Sequence, residues 1–329
     1  MPEGARPGHT ATSIAEAYAL GPGPWTMTPV TRGALGQIWK LSGNGSSWAV
    51  KELLFGCDEA QVGREAALRD SAAGLGIASP RLFRDQHGAP VTRPGSPGGS
   101  WVKLYDWVDG TRADASDPEV LDWFGRTMAL LHREDDRAAG TPSDWYERCP
   151  DDADWEDVLK KVRDAGLPWS QELARFVATS APRLARWVTP SAPGGLVTSH
   201  LDLQPQNVLV GPDGPVLLDW DNAGPVAAER EFARAVYVWS GGNEVNTNAA
   251  RCLARAYRDA GGRAVVTGPE SFSMLFATAL NYIHVQAGTA VDPGLTAAQR
   301  AFAGDEAVRW LRTAPDLAAV ALLLDALDA

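Results

Sequence analysis

Cysteine is scarce in this chain: Cys57, Cys149 and Cys252 are the only three in 329 residues, far apart and without a CxxC pair. So few thiols exclude a disulfide framework, and their spacing excludes a zinc site built from paired thiolates. They are expected as reduced, buried, intracellular thiols. Basic charge is also in short supply, with 30 Lys and Arg against 41 Asp and Glu and a net charge of -11. A phosphate backbone is held by surplus cations, so a general nucleic-acid binder is excluded. A cationic or metal-neutralised ligand is easier to accommodate. No apolar run reaches the roughly 18 residues of a membrane helix, which argues against a membrane partner. The most apolar stretch, Leu317 to Leu327, contains Asp325 and reads as a core-packing helix. The opening MPEGARPGHT lacks the basic-then-apolar pattern of a secretory signal. Thirteen tryptophans are scattered from Trp25 to Trp310 without a fixed interval, so they mark core or pocket lining and not repeats.

What is present has an order. Residues 1–24 are rich in Gly, Pro and Ala and suggest a lead-in carrying a short helix, Thr10 to Ala19. From Trp25, the runs WTMTPV, QIWKLSG and SSWAVKELL are separated by glycine-containing turns and read as three antiparallel strands. Asp58 to Gly74 reads as a helix, and the segment after Pro80 as strand, glycine-rich loop and strand. Beyond Ala113 the character is helical: Leu121, Phe124, Met128 and Leu131 recur at three- and four-residue steps, predicting an amphipathic helix over Pro118 to His132. The expected organisation is a β-rich part over 25–105 and a larger helical part over 106–329.

The most informative stretch is LVTSHLDLQPQNVLVGPDGPVLLDWDNAGP, Leu196 to Pro225. His200-x-Asp202 is followed five residues later by Asn207, then by a hairpin pattern, then by Asp219 at the end of its second apolar strand. An Asp at the start of such a loop can accept the proton of a substrate hydroxyl. An Asn oxygen and a second carboxylate, brought together by the hairpin, are hard ligands suited to magnesium beside nucleotide phosphates.

This segment resembles the catalytic loop and metal-binding strand of the aminoglycoside phosphotransferase and choline kinase-like family. His200, Asp202, Asn207 and Leu218-Asp219-Trp220 stand at the family's motif positions. Trp48-Ala49-Val50-Lys51 is similar to the strand carrying the nucleotide lysine, Glu65 to the helix glutamate that pairs with it, and Leu130-Leu131-His132 to the family's helix end. The resemblance covers Val30 to Trp239. It implies an α+β, protein-kinase-like bilobal fold, with a small antiparallel β N-lobe containing one helix and a larger, mainly α-helical C-lobe. It also implies Mg2+ as cofactor, with ATP or GTP as phosphoryl donor. Asp202 is then the catalytic base, Asn207 and Asp219 the metal ligands, Lys51 the phosphate contact and Glu65 its orienting partner. Gly33, Gly36 and Gln37 stand where the family's phosphate-covering loop is expected, over Thr31 to Gln37, without the full GxGxxG of protein kinases; a plain β-turn is the alternative. Tyr105 and Trp107 lie on the connector, Lys103 to Val108, against which the adenine is expected.

Some positions depart from the family pattern. Leu201 replaces a glycine common between the His and Asp, and its backbone is not expected to be left-handed. Glu231 replaces an Asp that braces the loop, which leaves that bracing open. His200 and His132 read as structural, and Asp221 as a turn or helix cap. Gln204 stands where protein kinases of the HRDLKPEN type carry lysine. A helix from Ala227 to Trp239 leaves no room for their activation segment.

Asp144 to Asp157 carries seven acidic side chains against Arg148 alone. In the resembling family this region flanks the acceptor, so Asp144, Asp151, Asp154 and Trp239 are candidate acceptor contacts; a solvated acidic loop is the plainer alternative. The expected function is O-phosphorylation of a small-molecule hydroxyl, of an antibiotic such as an aminoglycoside before other acceptors. A metabolic kinase for choline, homoserine or a sugar, and a nucleotide-binding pseudokinase, are the alternatives.

Overall fold

The computed structural model describes residues 10–33, 36–95, 99–134, 138, 140–192 and 194–328. The first nine residues of the expected lead-in, and Ala34 and Leu35 of the expected phosphate loop, lie outside them. The chain begins with α1 (Ala11–Ala17), β1 (Thr26–Arg32), β2 (Gly36–Gly43), β3 (Ser46–Leu53) and α2 (Glu59–Gly74). Then come β4 (Leu82–Phe83), β5 (Trp101–Asp106) and β6 (Thr111–Arg112). Next come α3 (Pro118–Glu134), α4 (Asp144–Glu147), α5 (Asp152–Asp164), α6 (Ser170–Thr179) and α7 (Ala181–Ala185). The strands β7 (Leu196–Ser199), β8 (Val208–Gly211), β9 (Gly214–Leu217) and β10 (Gly224–Ala227) precede α8 (Ala228–Trp239) and α9 (Thr247–Asp259). The chain closes with α10 (Ser273–Thr289), α11 (Ala297–Thr313) and α12 (Leu317–Asp328).

Two compact units result, one from residues 1–113 with 206–223, the other from 114–205 with 224–329. The hairpin of β8 and β9, expected with the helical part, groups with the first unit because β8 pairs with β6 and Leu217 N–H donates to Ala78 O at 2.9 Å.

In the first unit an antiparallel sheet runs β1-β2-β3-β5-β4. The β2–β3 turn uses Asn44 and Gly45 at φ 53 and 74, the left-handed pair a tight hairpin turn demands. Side chains alternate across a strand. Trp39, Leu41, Val50, Val102 and Leu104 therefore share one face, covered by Ile14 and Tyr18 near α1. Lys51 and Lys103 fall on the other. Helix α2 starts at Asp58, whose carboxylate accepts from Ala60 N and Gln61 N, and places Glu65 within reach of that second face.

In the second unit Leu121, Phe124, Met128 and Leu131 of α3 are all buried, as their spacing predicts. Each such side chain contributes about 1.5–3 kcal/mol by leaving water. Helix α10 buries residues around its circumference, from Met274 through Ile283 to Ala287, as the centre of a helical core does. Strands β7 and β10 pair antiparallel with Ser199 opposite Gly224, which flanks the loop that carries Asp202.

Cys57, Cys149 and Cys252 are free but partly exposed, against the expectation of burial. No helix among the described residues is long and apolar enough to cross a membrane.

Candidate active site

In the first unit Lys51 Nζ lies 2.5 Å from Asp219 Oδ1 and 2.8 Å from Asp221 Oδ2. Burial alone would lower the lysine's pKa, but Asp219 and then Asp221 outweigh it and raise it above the ordinary range. Asp221 is also an acceptor for Lys103 Nζ at 2.6 Å, so one carboxylate bridges two lysines. Burial would raise its pKa, yet Lys51 and Lys103 together hold it below the usual carboxylate range. Asp221 thus bridges two lysines and is not a turn cap.

Glu65 does not pair with Lys51. Its Oε2 accepts from Lys103 at 2.6 Å, and its Oε1 from the Tyr105 hydroxyl at 2.8 Å and from Arg69 at 3.0 Å. The expected partner is displaced because β3 and β5 align Lys51 with Lys103, and the second lysine takes the helix glutamate. The Tyr105 side chain is correspondingly buried against Glu65; burial, then Glu65, push its pKa well up. Trp107 donates to Asp109 Oδ1 at 2.7 Å, with Lys40 Nζ 4.2 Å from its ring centre.

Asn207 and Asp219 are brought together by backbone pairing. Val208 faces Leu217 in the hairpin, and Leu218 N–H donates to Asn207 O at 2.8 Å. Asp219 adopts a left-handed backbone, φ 58 and ψ 64, which is costly for a residue with a Cβ. The turn after it is pinned by Gln61 Nε2, which donates to Asp221 O at 2.7 Å and Ala223 O at 3.0 Å, and by Trp220, fully buried. The Asp219 side chain keeps 41% exposure. Among the described residues no group of three His, Cys, Asp or Glu is arranged to hold a metal by itself. One carboxylate plus one amide oxygen suits magnesium that arrives with phosphate oxygens completing its shell.

The β1–β2 turn is closed by Gly33 N–H donating to Gly36 O at 2.9 Å. A Cβ on Gly36 would sit 3.0 Å from Glu52 O and 3.4 Å from the Lys51 side chain, so glycine leaves that lysine its space. Gln37 donates its amide hydrogens to Thr31 O and Ile38 O, both at 2.9 Å. They stitch the hairpin instead of pointing at a phosphate.

In the second unit Asp202 is clamped from two sides. Arg234 Nη2 donates to its Oδ1 and Gln204 Nε2 to its Oδ2, each at 2.9 Å. Arg234 Nη1 also donates to Leu201 O at 3.0 Å. Burial opposes the guanidinium charge, but Asp202 prevails and raises the Arg234 pKa. Leu201, contrary to expectation, is left-handed at φ 62. The strained peptide is held by Glu231, whose Oε1 accepts from Leu201 N at 2.6 Å, so the glutamate does brace the loop. The other oxygen of Glu231 meets His132 Nε2 at 2.7 Å, and His132 Nδ1 lies 2.8 Å from the Tyr257 hydroxyl. Burial raises the Glu231 pKa and the His132 hydrogen bond lowers it, with a net downward shift. Burial pushes the Tyr257 phenol up to about 12. His200 is fully buried, its Nδ1 accepting from Asp202 N at 3.2 Å, in keeping with a structural role.

The proposed acceptor contacts are not gathered into one acidic face. Asp151 and Asp154 form a reciprocal capping box at the start of α5. Trp239 is buried, stacked on Phe124 at 4.1 Å, and donates to Leu203 O at 3.2 Å, supporting the loop from beneath. Asp144 is exposed, pairs with Arg148 at 3.1 Å, and lines a cavity of about 670 Å³ with Glu147 and Ser191.

Sequence reasoning missed Arg234 and Lys103. Arg234 lies three residues after Glu231 on α8, one helical step along the same face. Lys103, in WVKLYD, follows a tryptophan and a valine on its strand much as Lys51 does in WAVKEL.

A model of the phosphotransferase enzyme family matches residues 26–268. No curated protein is a significant sequence match. Among solved structures, an aminoglycoside phosphotransferase from Alicyclobacillus acidocaldarius aligns over 92% of each chain at 17% identity, TM-score 0.55. Spectinomycin phosphotransferase in complex with ADP and spectinomycin aligns over 92% of this chain and 93% of its own, at 14% identity and TM-score 0.61. Choline kinase from Cryptosporidium parvum aligns over 88% of each chain, at 12% identity and TM-score 0.50. At these identities the likeness establishes the protein-kinase-like fold.

Proposed function

The chain belongs to the phosphotransferase enzyme family, and we propose that it transfers the γ-phosphoryl group of ATP to a hydroxyl of a small molecule in the cytoplasm. The observation that carries this reading is the 2.5 Å approach of Lys51 to Asp219, a phosphate-binding cation and a metal-binding carboxylate held together on the strand and hairpin expected to supply them. Asp202 orients the acceptor hydroxyl and takes its proton as the new P–O bond forms, with ADP leaving. Arg234 and Gln204 fix the carboxylate's direction. Lys51 steadies the phosphates, while Asn207 and Asp219 would hold magnesium. The metal, when bound, supplies charge neutralisation between the phosphates. For the protein the work is positioning and electrostatics, as phosphoryl transfer demands.

For the acceptor we propose an antibiotic of aminoglycoside or related type, which the fold's likeness to the aminoglycoside and spectinomycin phosphotransferases supports. The acidic run supports it less than its composition suggests, since two of its carboxylates serve as helix caps. A panel of aminoglycosides, spectinomycin, choline and homoserine, each incubated with ATP and magnesium and read by mass spectrometry, tests the proposal. A gain of one phosphoryl group on an antibiotic is expected. Phosphorylation of choline or homoserine alone would replace the antibiotic assignment by a metabolic one.

A further inference from the structure

We infer that Asp221, and not the helix glutamate Glu65, is the positioning residue for Lys51, and that Glu65 meets Lys103, one step further along the same chain of contacts. The inference rests on the reading of Lys51 as the nucleotide contact. Its starting point is the register of β3 and β5, which aligns Lys51 with Lys103 and turns both ammonium groups to the same side of the sheet. Two neighbouring buried cations require anions between them. Glu65 has none of its capacity directed at Lys51: one oxygen is taken by Lys103, the other by Tyr105 and Arg69. Asp221 divides itself between the lysines, Oδ2 at 2.8 Å from Lys51 and Oδ1 at 2.6 Å from Lys103.

The exposures separate the roles of the two aspartates. The Asp219 side chain is 41% exposed and that of Asp221 20%, while those of Lys103 and Glu65 are 2% and 1%. Asp219 is therefore the carboxylate free to exchange Lys51 for a metal, and Asp221 the one that stays. With a metal bound, Asp219 would be one of its ligands, and the contact to Asp221 would still hold Lys51 in place. Lys103 holds the other oxygen of Asp221, and Glu65 joins Lys103 to α2 without touching Lys51.

The test uses the full chain and calorimetric titration of ADP in the presence of EDTA, so that lysine–phosphate contact is read without any metal. Asp221→Asn is expected to weaken ADP binding about ten-fold or more, the cost of unpairing a buried charge. Glu65→Gln is expected to lower the melting temperature while changing ADP affinity less than about three-fold, as loss of a pair outside the site does. In a Lys51→Met background Asp221→Asn should weaken ADP no further, a coupling that general structural damage would not produce. Equal weakening by Glu65→Gln, unchanged affinity in Asp221→Asn, or a full effect of Asp221→Asn on top of Lys51→Met would each overturn the inference. Should Glu65→Gln fail to fold, the Lys51–Asp221 cycle carries the test alone. Wild-type protein that does not bind ADP would overturn the reading of Lys51 itself, and this inference with it.

Discussion

Arg234 joins Asp202 to the backbone beside it: one guanidinium nitrogen donates to the carboxylate at 2.9 Å and another to Leu201 O at 3.0 Å. The planar fork thereby ties the direction of the proposed base to the shape of its loop, and an ammonium group cannot span both acceptors in that geometry.

Arg234→Lys should consequently lower kcat while leaving the KM for ATP within about two-fold, with a loss on the order of 10–100-fold, as a slightly misdirected catalytic group produces. Steady-state kinetics with both substrates varied checks this. An unchanged kcat would show that Asp202 needs no such support.

Leu201 illustrates a contest between strain and burial. A left-handed conformation costs a residue with a Cβ about 1–2 kcal/mol, which glycine would recover. The same side chain is 2% exposed in a cluster with Tyr146, Val197, Val226 and Met274, and removing a buried leucine costs about 2–5 kcal/mol. Burial wins over nearly all of that range, so Leu201→Gly should destabilise the protein in urea unfolding, by up to about 4 kcal/mol on these two figures. A stabilised variant would mean that the strain exceeds the packing.

Glu231 gives the pH dependence a definite sign. Its folded pKa lies below the ordinary 4.5, because the His132 hydrogen bond outweighs burial. The stability from this group is therefore fully present above pH 4.5 and is lost as the pH falls through the folded value. Glu231→Gln should be less stable than the wild type at pH 7 and should lose less on acidification below about pH 5. Denaturation curves across pH 3 to 7, about the range in which carboxylates titrate, make the comparison. Parallel pH profiles would contradict the assignment.

The capping box at α5 predicts a separation of stability from substrate recognition. Asp151→Ala should cost about 1 kcal/mol, the usual cost of losing an N-cap, with the KM of the phosphorylated acceptor unchanged. A raised KM without loss of stability would return Asp151 to the acceptor site.

What was legible in the sequence followed from local chemistry. Asn44-Gly45 marks the β2–β3 turn, the steps from Leu121 to Leu131 mark α3, and the spacing of Asp202, Asn207 and Asp219 places the proposed base and metal ligands on a loop and a hairpin. What was hidden depends on distant partners. Glu65 looked like the mate of Lys51 because nothing local reveals that Lys103 lies opposite that lysine. Leu201 looked unstrained because its clamps, Glu231 and Arg234, come from a helix some thirty positions later. The acidic run looked like one surface, whereas helix geometry assigns Asp151 and Asp154 to a cap and leaves Asp144 to its own ion pair.

The central claim is that Asp202 serves a real transfer of phosphate. The most direct measurement follows radiolabelled γ-phosphate from ATP into hydroxyl acceptors, comparing wild type with Asp202→Asn and titrating nucleotide into both. Label should move to an acceptor with the wild type, fall by about 10²–10⁴-fold in the variant, as expected for loss of a general base, and leave nucleotide affinity unchanged. Equal transfer by both proteins, or nucleotide binding with no transfer to any acceptor, would contradict the account.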